Sequence, residues 1–356
     1  MHSNEVLTKD ELNKYSRQIR LAEVGKEGQK KLKGTSVLVI GAGALGCPVL
    51  QYLAAAGIGV LGIVDNDWLD ETNLHRQVLY NVKDIGKPKP LAAKEKLKLL
   101  NPEVKYKVYF MRLDKESALR IIRDYDIIVD CTDNFGTRYL INDASVILNK
   151  PVVYGAIDKF SGQLMVLNYR NGPTLRCLYP EPPHPLEVPS CAETGVIGSI
   201  AGTIGSMQAT EVIKIILEKD EPLSGKLFII DSLSFTTQIV SFEKNPENSK
   251  IKTLGDYDEI CLSDNNSVHE ISQVELRKLL KKKPELTIID LRDEVEKNDI
   301  GFDCISIPYY KISGKLHLIL KKNTIVFYCK YGIQSMHVIN YLQQVHKMKN
   351  LYSLVL

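Results

Sequence analysis

The chain has 356 residues, of which 44% are hydrophobic and 25% charged, with a formal net charge of +3. This is enough length for two globular domains with a sizeable core, and too apolar a composition for a disordered chain. The small charge and dispersed lysines, with only Lys281-Lys282-Lys283 in a run, argue against nucleic acid as a partner.

The opening stretch MHSNEVLTKDELNKYSRQIR has no apolar core of the kind a secretory leader needs. Its spacing instead predicts an amphipathic helix from Lys9 to Leu21, followed by a second from Gly25 to Leu32. The run Ser36 to Ile40 reads as a strand, which the turn Gly41-Ala42-Gly43-Ala44-Leu45-Gly46 joins to a helix ending at Ala56. A second strand, Leu61 to Val64, ends in Asp65. Strand and helix then alternate through Tyr106 to Tyr109, Lys115 to Arg123, Ile127 to Asp130, Gly136 to Leu148 and Val152 to Gly155. That alternation is the signature of an α/β fold with a doubly wound, Rossmann-like parallel sheet. Beyond it, Gly162 to Tyr169 alternates as an antiparallel strand, Tyr179 to Pro189 is rich in proline, and Gly198 to Glu218 is a helix. Phe228 to Asp231 and Thr236 to Phe242 close a first domain over residues 1–245. Residues 246–267, polar and aspartate-rich, read as a linker. Residues 268–356 form a small α/β domain with strands at Thr287 to Asp290 and Thr324 to Tyr328 and a helix over Ser335 to Gln344. No run of eighteen apolar residues occurs, so a membrane is not expected and the cytoplasm is the default location. The seven cysteines are scattered, odd in number and free of any Cys-x-x-Cys pair, which favours reduced thiols.

The chemistry concentrates in two places. Gly41, Gly43 and Gly46 form a G-x-G-x-x-G turn between strand and helix, which lets backbone N–H groups approach phosphates. Asp65 ends the next strand, where a ribose contact is expected, and Asp67 follows it. At this level an NAD-dependent oxidoreductase fits equally well. The cations Arg76 and Lys89, however, suit a triphosphate, and Asp133 in Asp130-Cys131-Thr132-Asp133-Asn134 suits a magnesium ion. A nicotinamide ring needs neither. The second place is Cys329, which opens Cys329-Lys330-Tyr331-Gly332-Ile333-Gln334-Ser335 at the start of a helix, a setting that stabilises a thiolate or persulfide. Cys191 lies just before another helix, after the proline-rich stretch, where a loop thiol could be nucleophilic. Cys47 and Cys131, in apolar surroundings, read as inert buried thiols.

The strings Tyr15-Ser16-Arg17-Gln18-Ile19, GAGALG, DND, NLHRQ, GKPK, DCTDN and Ser161-Gly162-Gln163, in that order, resemble the E1-like MoeB/ThiF adenylyltransferases that activate ubiquitin-related sulfur carriers. The resemblance runs from Lys9 to Phe242. It implies that Asp65 binds the ribose of ATP, that Asn73, Arg76 and Lys89 handle its phosphates, and that Asp133 ligates magnesium. It further implies a homodimer in which Arg17 reaches the ATP of the other subunit, and, at Cys191, the cysteine that attacks the acyl-adenylate or forms a mixed acyl disulfide. Taken singly, Asn73 would read as a helix cap, Lys89 as a surface charge and Arg17 as the partner of a nearby acid.

Residues 268–356 resemble a rhodanese domain: Ile289-Asp290-Leu291-Arg292-Asp293 with Glu296 fits its strand and acidic turn, and C-x-x-G-x-x-S at Cys329 fits its persulfide loop. Asn298 to Pro308 lacks the usual Gly-His-Ile, and a rhodanese would continue past Leu356, so the domain reads as trimmed or degraded. Many relatives hold structural zinc through two Cys-x-x-Cys pairs. Here Thr174 precedes Cys177 and Asn245-Pro246-Glu247-Asn248 has no cysteine, so zinc is not expected.

Together these readings imply ATP- and magnesium-dependent adenylation of the C-terminal glycine of a small ubiquitin-like carrier ending Gly-Gly. Persulfide sulfur on Cys329, supplied by a donor such as a cysteine desulfurase, then gives a thiocarboxylate. Two alternatives stay open: the NAD-dependent oxidoreductase, and a non-catalytic carrier-binding protein with a decayed rhodanese domain.

Overall fold

In the computed structural model the described residues are 6–183, 195–218, 222–255, 257, 268–292, 301–329 and 332–355. They divide into two compact units, the larger within Met1–Glu181 and Thr194–Tyr257, the smaller with its elements within Asp258–Leu356.

The larger unit is built on eight strands: β1 (Ser36–Ile40), β2 (Val60–Asp65), β3 (Lys105–Phe110), β4 (Ile127–Asp130), β5 (Val152–Asp158), β6 (Ser161–Leu167), β7 (Lys226–Asp231) and β8 (Thr236–Ser241). They lie in the order β3-β2-β1-β4-β5-β6-β7-β8. β1 to β5 are parallel, and β5 to β8 pair antiparallel. β1 is flanked by β2 and β4, and the chain leaves it first toward β3 and later toward β5. Such a reversal opens a crevice at the carboxyl ends of β1 and β4, where ligands bind in doubly wound sheets.

Every residue of β1 from Val37 to Ile40 is buried, as expected of a parallel strand covered on both faces. Val37 and Val39 share a core with Leu50 and Leu53 of the helix Gly46–Ala56 and with Ile200, Ile204 and Val212 of the helix Gly198–Leu217. Each such fully buried aliphatic side chain contributes about 1.5–3 kcal/mol. Small residues let this layer pack closely: a Cβ on Gly205 would lie 2.6 Å from the Leu45 carbonyl oxygen, and one on Gly162 would lie 2.3 Å from Ile204. Among the described residues Gly198–Leu217 alone is long and apolar enough to cross a membrane, and most of it is buried in this core.

Three departures from the sequence expectations in the larger unit bear on the site. The opening helix is broken into Lys9–Lys14 and Ser16–Ile19 because Tyr15 turns inward, its hydroxyl accepting from Asn101 Nδ2 at 2.8 Å beneath Gly57. A helix at Lys89–Leu100 covers β2 and β3 where none was assigned. β5 runs on to Asp158 because it forms a hairpin with β6.

In the smaller unit five parallel strands, β9 (His269–Ser272), β10 (Thr287–Asp290), β11 (Ile305–Ser306), β12 (Ile325–Tyr328) and β13 (Leu351–Val355), take the order β11-β10-β12-β13-β9. Ile325 and Phe327 face one apolar layer and Val326 the other, so β12 is covered on both sides. β13 occupies an interior position, paired with both β12 and β9.

Candidate active site

Two of the three motif glycines are fixed by sterics. Gly41 has φ +98°, and a Cβ there would lie 2.6 Å from the Cys131 carbonyl oxygen; a Cβ on Gly46 would lie 2.0 Å from the Gly41 carbonyl oxygen. Gly43 is different, since the one neighbour its Cβ would meet within 4 Å is Gln77 Nε2 at 3.7 Å, which leaves room for a ligand to approach the backbone. The loop is anchored by Asp65: Ala42 N–H donates to Oδ2 at 2.7 Å and Asp67 N–H to Oδ1 at 2.8 Å. Burial pushes the Asp65 carboxyl up, and the charge of Lys89 together with these two N–H donors opposes that rise. Each of its oxygens keeps a further lone pair for a hydroxyl donor.

Lys89 opens the helix Lys89–Leu100, is buried, and donates through Nζ to Asp67 Oδ2 at 2.7 Å. The Tyr80 hydroxyl joins loop and lysine, donating to the Ala42 carbonyl at 2.8 Å and reaching the Lys89 carbonyl at 3.3 Å. Gly41, Ala42, Asp65, Asp67 and Lys89 are thus one connected group at the carboxyl end of β1 and β2.

Asn73 acts in a cap: its Oδ1 accepts from Asp70 N–H at 3.2 Å, which orders the turn Glu71–Asn73. Arg76, partly exposed, donates to the Thr72 carbonyl at 2.9 Å and lies 2.8 Å from His75 Nε2. Its backbone is held by close approach of the helix Gly198–Leu217, since a Cβ on Gly198 would lie 2.4 Å from the His75 carbonyl oxygen. Gln77 was not among the candidates. It is buried beside Gly43, and its Oε1 has no hydrogen-bond partner among the described residues.

At the end of β4, Asp130 is buried and accepts from Thr132 N–H at 3.0 Å and Thr132 Oγ1 at 2.7 Å. Burial pushes its carboxyl up, opposed by the charge of Arg138. Arg138 donates to the Tyr154 hydroxyl at 2.7 Å and the Thr132 carbonyl at 2.8 Å. Gln208, inside the helix Gly198–Leu217, donates to the Asp130 carbonyl at 2.9 Å and so ties that helix to the same strand end. Asp133 follows as an exposed carboxylate, and Asn134 caps the helix Phe135–Leu148 through Thr137 N–H at 2.9 Å. Arg17 is exposed on Ser16–Ile19 and, among the described residues, makes no hydrogen bond with the Asp65 group. Cys191, Asp293 and Glu296 lie outside the described residues.

In the smaller unit Cys329 is buried at the carboxyl end of β12. Its Sγ accepts from Ser335 Oγ at 3.0 Å and Ser335 N–H at 3.4 Å, across the first turn of the helix Ile333–Gln344. Gly332, with φ +76°, provides the left-handed turn that brings that helix back over the sulfur. Beside it Arg292 pairs with Asp290 at 2.8 Å and lies 4.6 Å from the centre of the Tyr328 ring. Elsewhere, burial pushes the Cys47 thiol up to about 12, and Cys131 also rises well above its ordinary value, so both are unreactive at neutral pH.

Thr174, Cys177, Asn245 and Asn248 do come together, but around sulfur as an acceptor. Cys177 Sγ takes N–H groups from Thr174 and Asn245 at 3.3 Å each and the Asn248 amide at 3.6 Å. Burial works against ionisation, yet these donors hold the Cys177 thiol below its ordinary pKa. One thiol, a hydroxyl and two amides are not a donor set for tetrahedral zinc, so zinc does not fit here.

Comparison with known proteins gives a consistent neighbourhood. The ThiF family model matches residues 15–251. The sulfur carrier protein adenylyltransferase of Thermus thermophilus is 47% identical over 265 residues, covering 71% of this chain and 98% of that protein. The probable adenylyltransferase/sulfurtransferase MoeZ of Mycobacterium tuberculosis is 41% identical over 348 residues, covering 92% of this chain and 87% of that protein. Among solved structures, E. coli MccB with AMPCPP and MccA superimposes with a TM-score of 0.58 at 25% identity, covering 66% of this chain and 72% of that one.

Proposed function

Because the chain belongs to the ThiF family, we propose that the group around Asp65 and Lys89 adenylates the C-terminal glycine of a ubiquitin-like sulfur carrier, and that the smaller, rhodanese-like unit then delivers sulfur. The enzyme is an adenylyltransferase with sulfurtransferase activity, in keeping with relatives that bear both names. The observation that carries the reading is the connected group of Gly41, Ala42, Asp65, Asp67 and Lys89 at the reversal point of the sheet.

ATP lies with its ribose hydroxyls on Asp65 and its triphosphate along the backbone of Gly41 to Gly46. Lys89, Arg76 and Asn73 face the β- and γ-phosphates, where charge grows as pyrophosphate leaves. The carrier's terminal carboxylate attacks the α-phosphate, the bond to the β-phosphate oxygen breaks, and an acyl-adenylate forms. Lys89 exchanges its contact with Asp67 for phosphate. Asp133, an exposed carboxylate of the kind magnesium takes alongside water, would hold that ion, which when bound offsets phosphate charge. The terminal sulfur of a persulfide on Cys329 then attacks the acyl carbon and AMP departs, leaving an acyl disulfide. Ser335 N–H and Oγ hold Cys329 Sγ, the inner sulfur of that persulfide, in place. The Cys191 thiolate attacks Cys329 Sγ, releasing the thiocarboxylate and leaving a disulfide that a cellular dithiol reduces.

The functional molecule in this reading is a cytoplasmic homodimer. Arg17, exposed on its short helix, reaches the nucleotide of the other protomer. Its protein partners are a small carrier ending Gly-Gly and a persulfide donor such as a cysteine desulfurase. The test is carrier-dependent ATP–pyrophosphate exchange alongside thiocarboxylate formation. Asp133→Ala abolishes exchange; Cys329→Ala leaves exchange intact and blocks thiocarboxylate. Exchange that survives in Asp133→Ala, or thiocarboxylate made from a persulfide donor by Cys329→Ala, contradicts the proposal.

A further inference from the structure

The chain leaves the larger unit through residues 242–257, and side chains of that unit fasten this stretch along its length. Lys244 Nζ donates to the Asn171 carbonyl at 3.0 Å, and Asn245 N–H and the Asn248 amide donate to Cys177 Sγ. The last anchor is Tyr257. It is buried, accepts from Gly255 N–H at 3.1 Å, and donates through its hydroxyl to Asp143 Oδ2 at 2.6 Å.

Asp143 sits buried on the helix Phe135–Leu148 and accepts four hydrogen bonds from the described residues. Beyond Tyr257 they come from Arg176 Nε to Oδ1 at 2.8 Å, Arg176 Nη2 to Oδ2 at 2.7 Å and Asn142 Nδ2 to Oδ1 at 2.8 Å. The same Arg176 donates to the Pro180 carbonyl at 3.1 Å and lies 4.8 Å from the centre of the Tyr139 ring. The Tyr139 hydroxyl in turn donates to the Tyr179 carbonyl at 2.9 Å. Tyr179 and Pro180 begin the proline-rich stretch that leads to Cys191; Tyr257 is followed by the sequence that leads to β9 and the Cys329 unit. A single buried carboxylate therefore holds the roots of both cysteine-bearing segments, through a bidentate arginine on one side and a phenol on the other.

We propose that Asp143 is a positioning residue for sulfur delivery: through Arg176 and Tyr257 it fixes the points from which the Cys191 segment and the tether to Cys329 set out. This rests on the functional reading above and concerns its second half-reaction alone. Encounter between tethered groups depends on the length of chain beyond the last anchor. Without the Tyr257–Asp143 hydrogen bond the chain before β9 is no longer fastened to that carboxylate, and the next buried residue back is Leu254.

The experiment compares the full-length wild type with Tyr257→Phe and Asp143→Asn in three assays: carrier-dependent pyrophosphate exchange, thiocarboxylate formation from a persulfide donor, and thiocarboxylate formation from added sodium sulfide, which bypasses Cys329. Tyr257→Phe is expected to slow the donor-dependent reaction, and Asp143→Asn to slow it further, since it frees both roots. Exchange and the sulfide reaction stay at the wild-type level in Tyr257→Phe. If all three activities fall together in Tyr257→Phe, or if the donor-dependent rate is unchanged in both variants, the positioning role is wrong. A wild type without carrier-dependent exchange would instead overturn the functional reading, and this inference with it.

Discussion

Lys89→Met separates what Lys89 does for the fold from what it does for chemistry. Methionine keeps most of the length and volume of the side chain, so the packing of the helix Lys89–Leu100 against β2 and β3 survives. The ion pair lost is with Asp67 at 2.7 Å, and the side chains are 7% and 60% exposed. Because Asp67 is open to water and rehydrates when its partner goes, the pair stabilises the fold by at most about 1 kcal/mol. Losing it should lower the melting temperature by about 2–4 °C in a unit of this size. In the proposed transition state the same ammonium faces a departing pyrophosphate in a partly water-excluded site. Removing one such preorganised donor costs about 100- to 1,000-fold, or roughly 3–4 kcal/mol. The assay is carrier-dependent pyrophosphate exchange with a thermal melt on the same sample. Removing Lys89 also takes away the charge that opposes the rise of the Asp65 carboxyl, so the acid limb of any residual activity should move to higher pH. Exchange within about three-fold of wild type, with a normal melt, would show that Lys89 is not at the phosphates, and the argument from its burial beside Asp65 would be refuted.

Gly46→Ala places a Cβ 2.0 Å from the Gly41 carbonyl oxygen, so the loop must open. We expect a loss of about 3 kcal/mol in a denaturant melt together with loss of ATP binding; Gly202→Ala, where no atom lies within 4 Å, should instead gain up to about 1 kcal/mol. His337 in the smaller unit is hydrogen-bonded through Nδ1 to the Tyr309 hydroxyl, and burial lowers its pKa to about 4. Its folded pKa is depressed, so unfolded chains take the proton first. The resulting penalty is absent above pH 6.5 and builds as pH falls toward 4, reaching at most about 3 kcal/mol. Hydrogen-exchange protection factors in Ile333–Gln344, corrected for the intrinsic pH dependence, should fall over that window in the wild type, and His337→Gln should flatten the dependence.

The parts of the site that follow from local chain geometry are legible in the sequence alone. β1, the glycine turn and the strand ending in Asp65 needed only an apolar run, three glycines and a carboxylate at a fixed distance along the chain. The helix Lys89–Leu100 was hidden because Gly86, Pro88 and Pro90 read as loop punctuation. Leu91, Leu99 and Leu100 on its exposed side also blurred the apolar periodicity. The break at Tyr15 was equally invisible, since the phenol turns inward only because Gly57 and Asn101 leave it a place more than forty residues away. The supporting residues were missed for the same reason. Tyr80 touches Ala42, Gln208 touches Asp130, and Tyr257 touches Asp143 across long stretches of sequence, and none belongs to a spacing pattern. Gln77 did carry a signal, as the polar residue next to Arg76, but only burial beside Gly43 makes it a ligand candidate. At Asn73 the plain reading of a capping side chain is what the ligand-free geometry contains.

The most direct measurement is a structure of the full chain with a non-hydrolysable ATP analogue. The account predicts ribose hydroxyls within hydrogen-bonding distance of the Asp65 carboxylate and the terminal phosphates against the Lys89 ammonium and the Arg76 guanidinium. An analogue bound away from the crevice between β1 and β4, with the Lys89–Asp67 pair undisturbed, would contradict it.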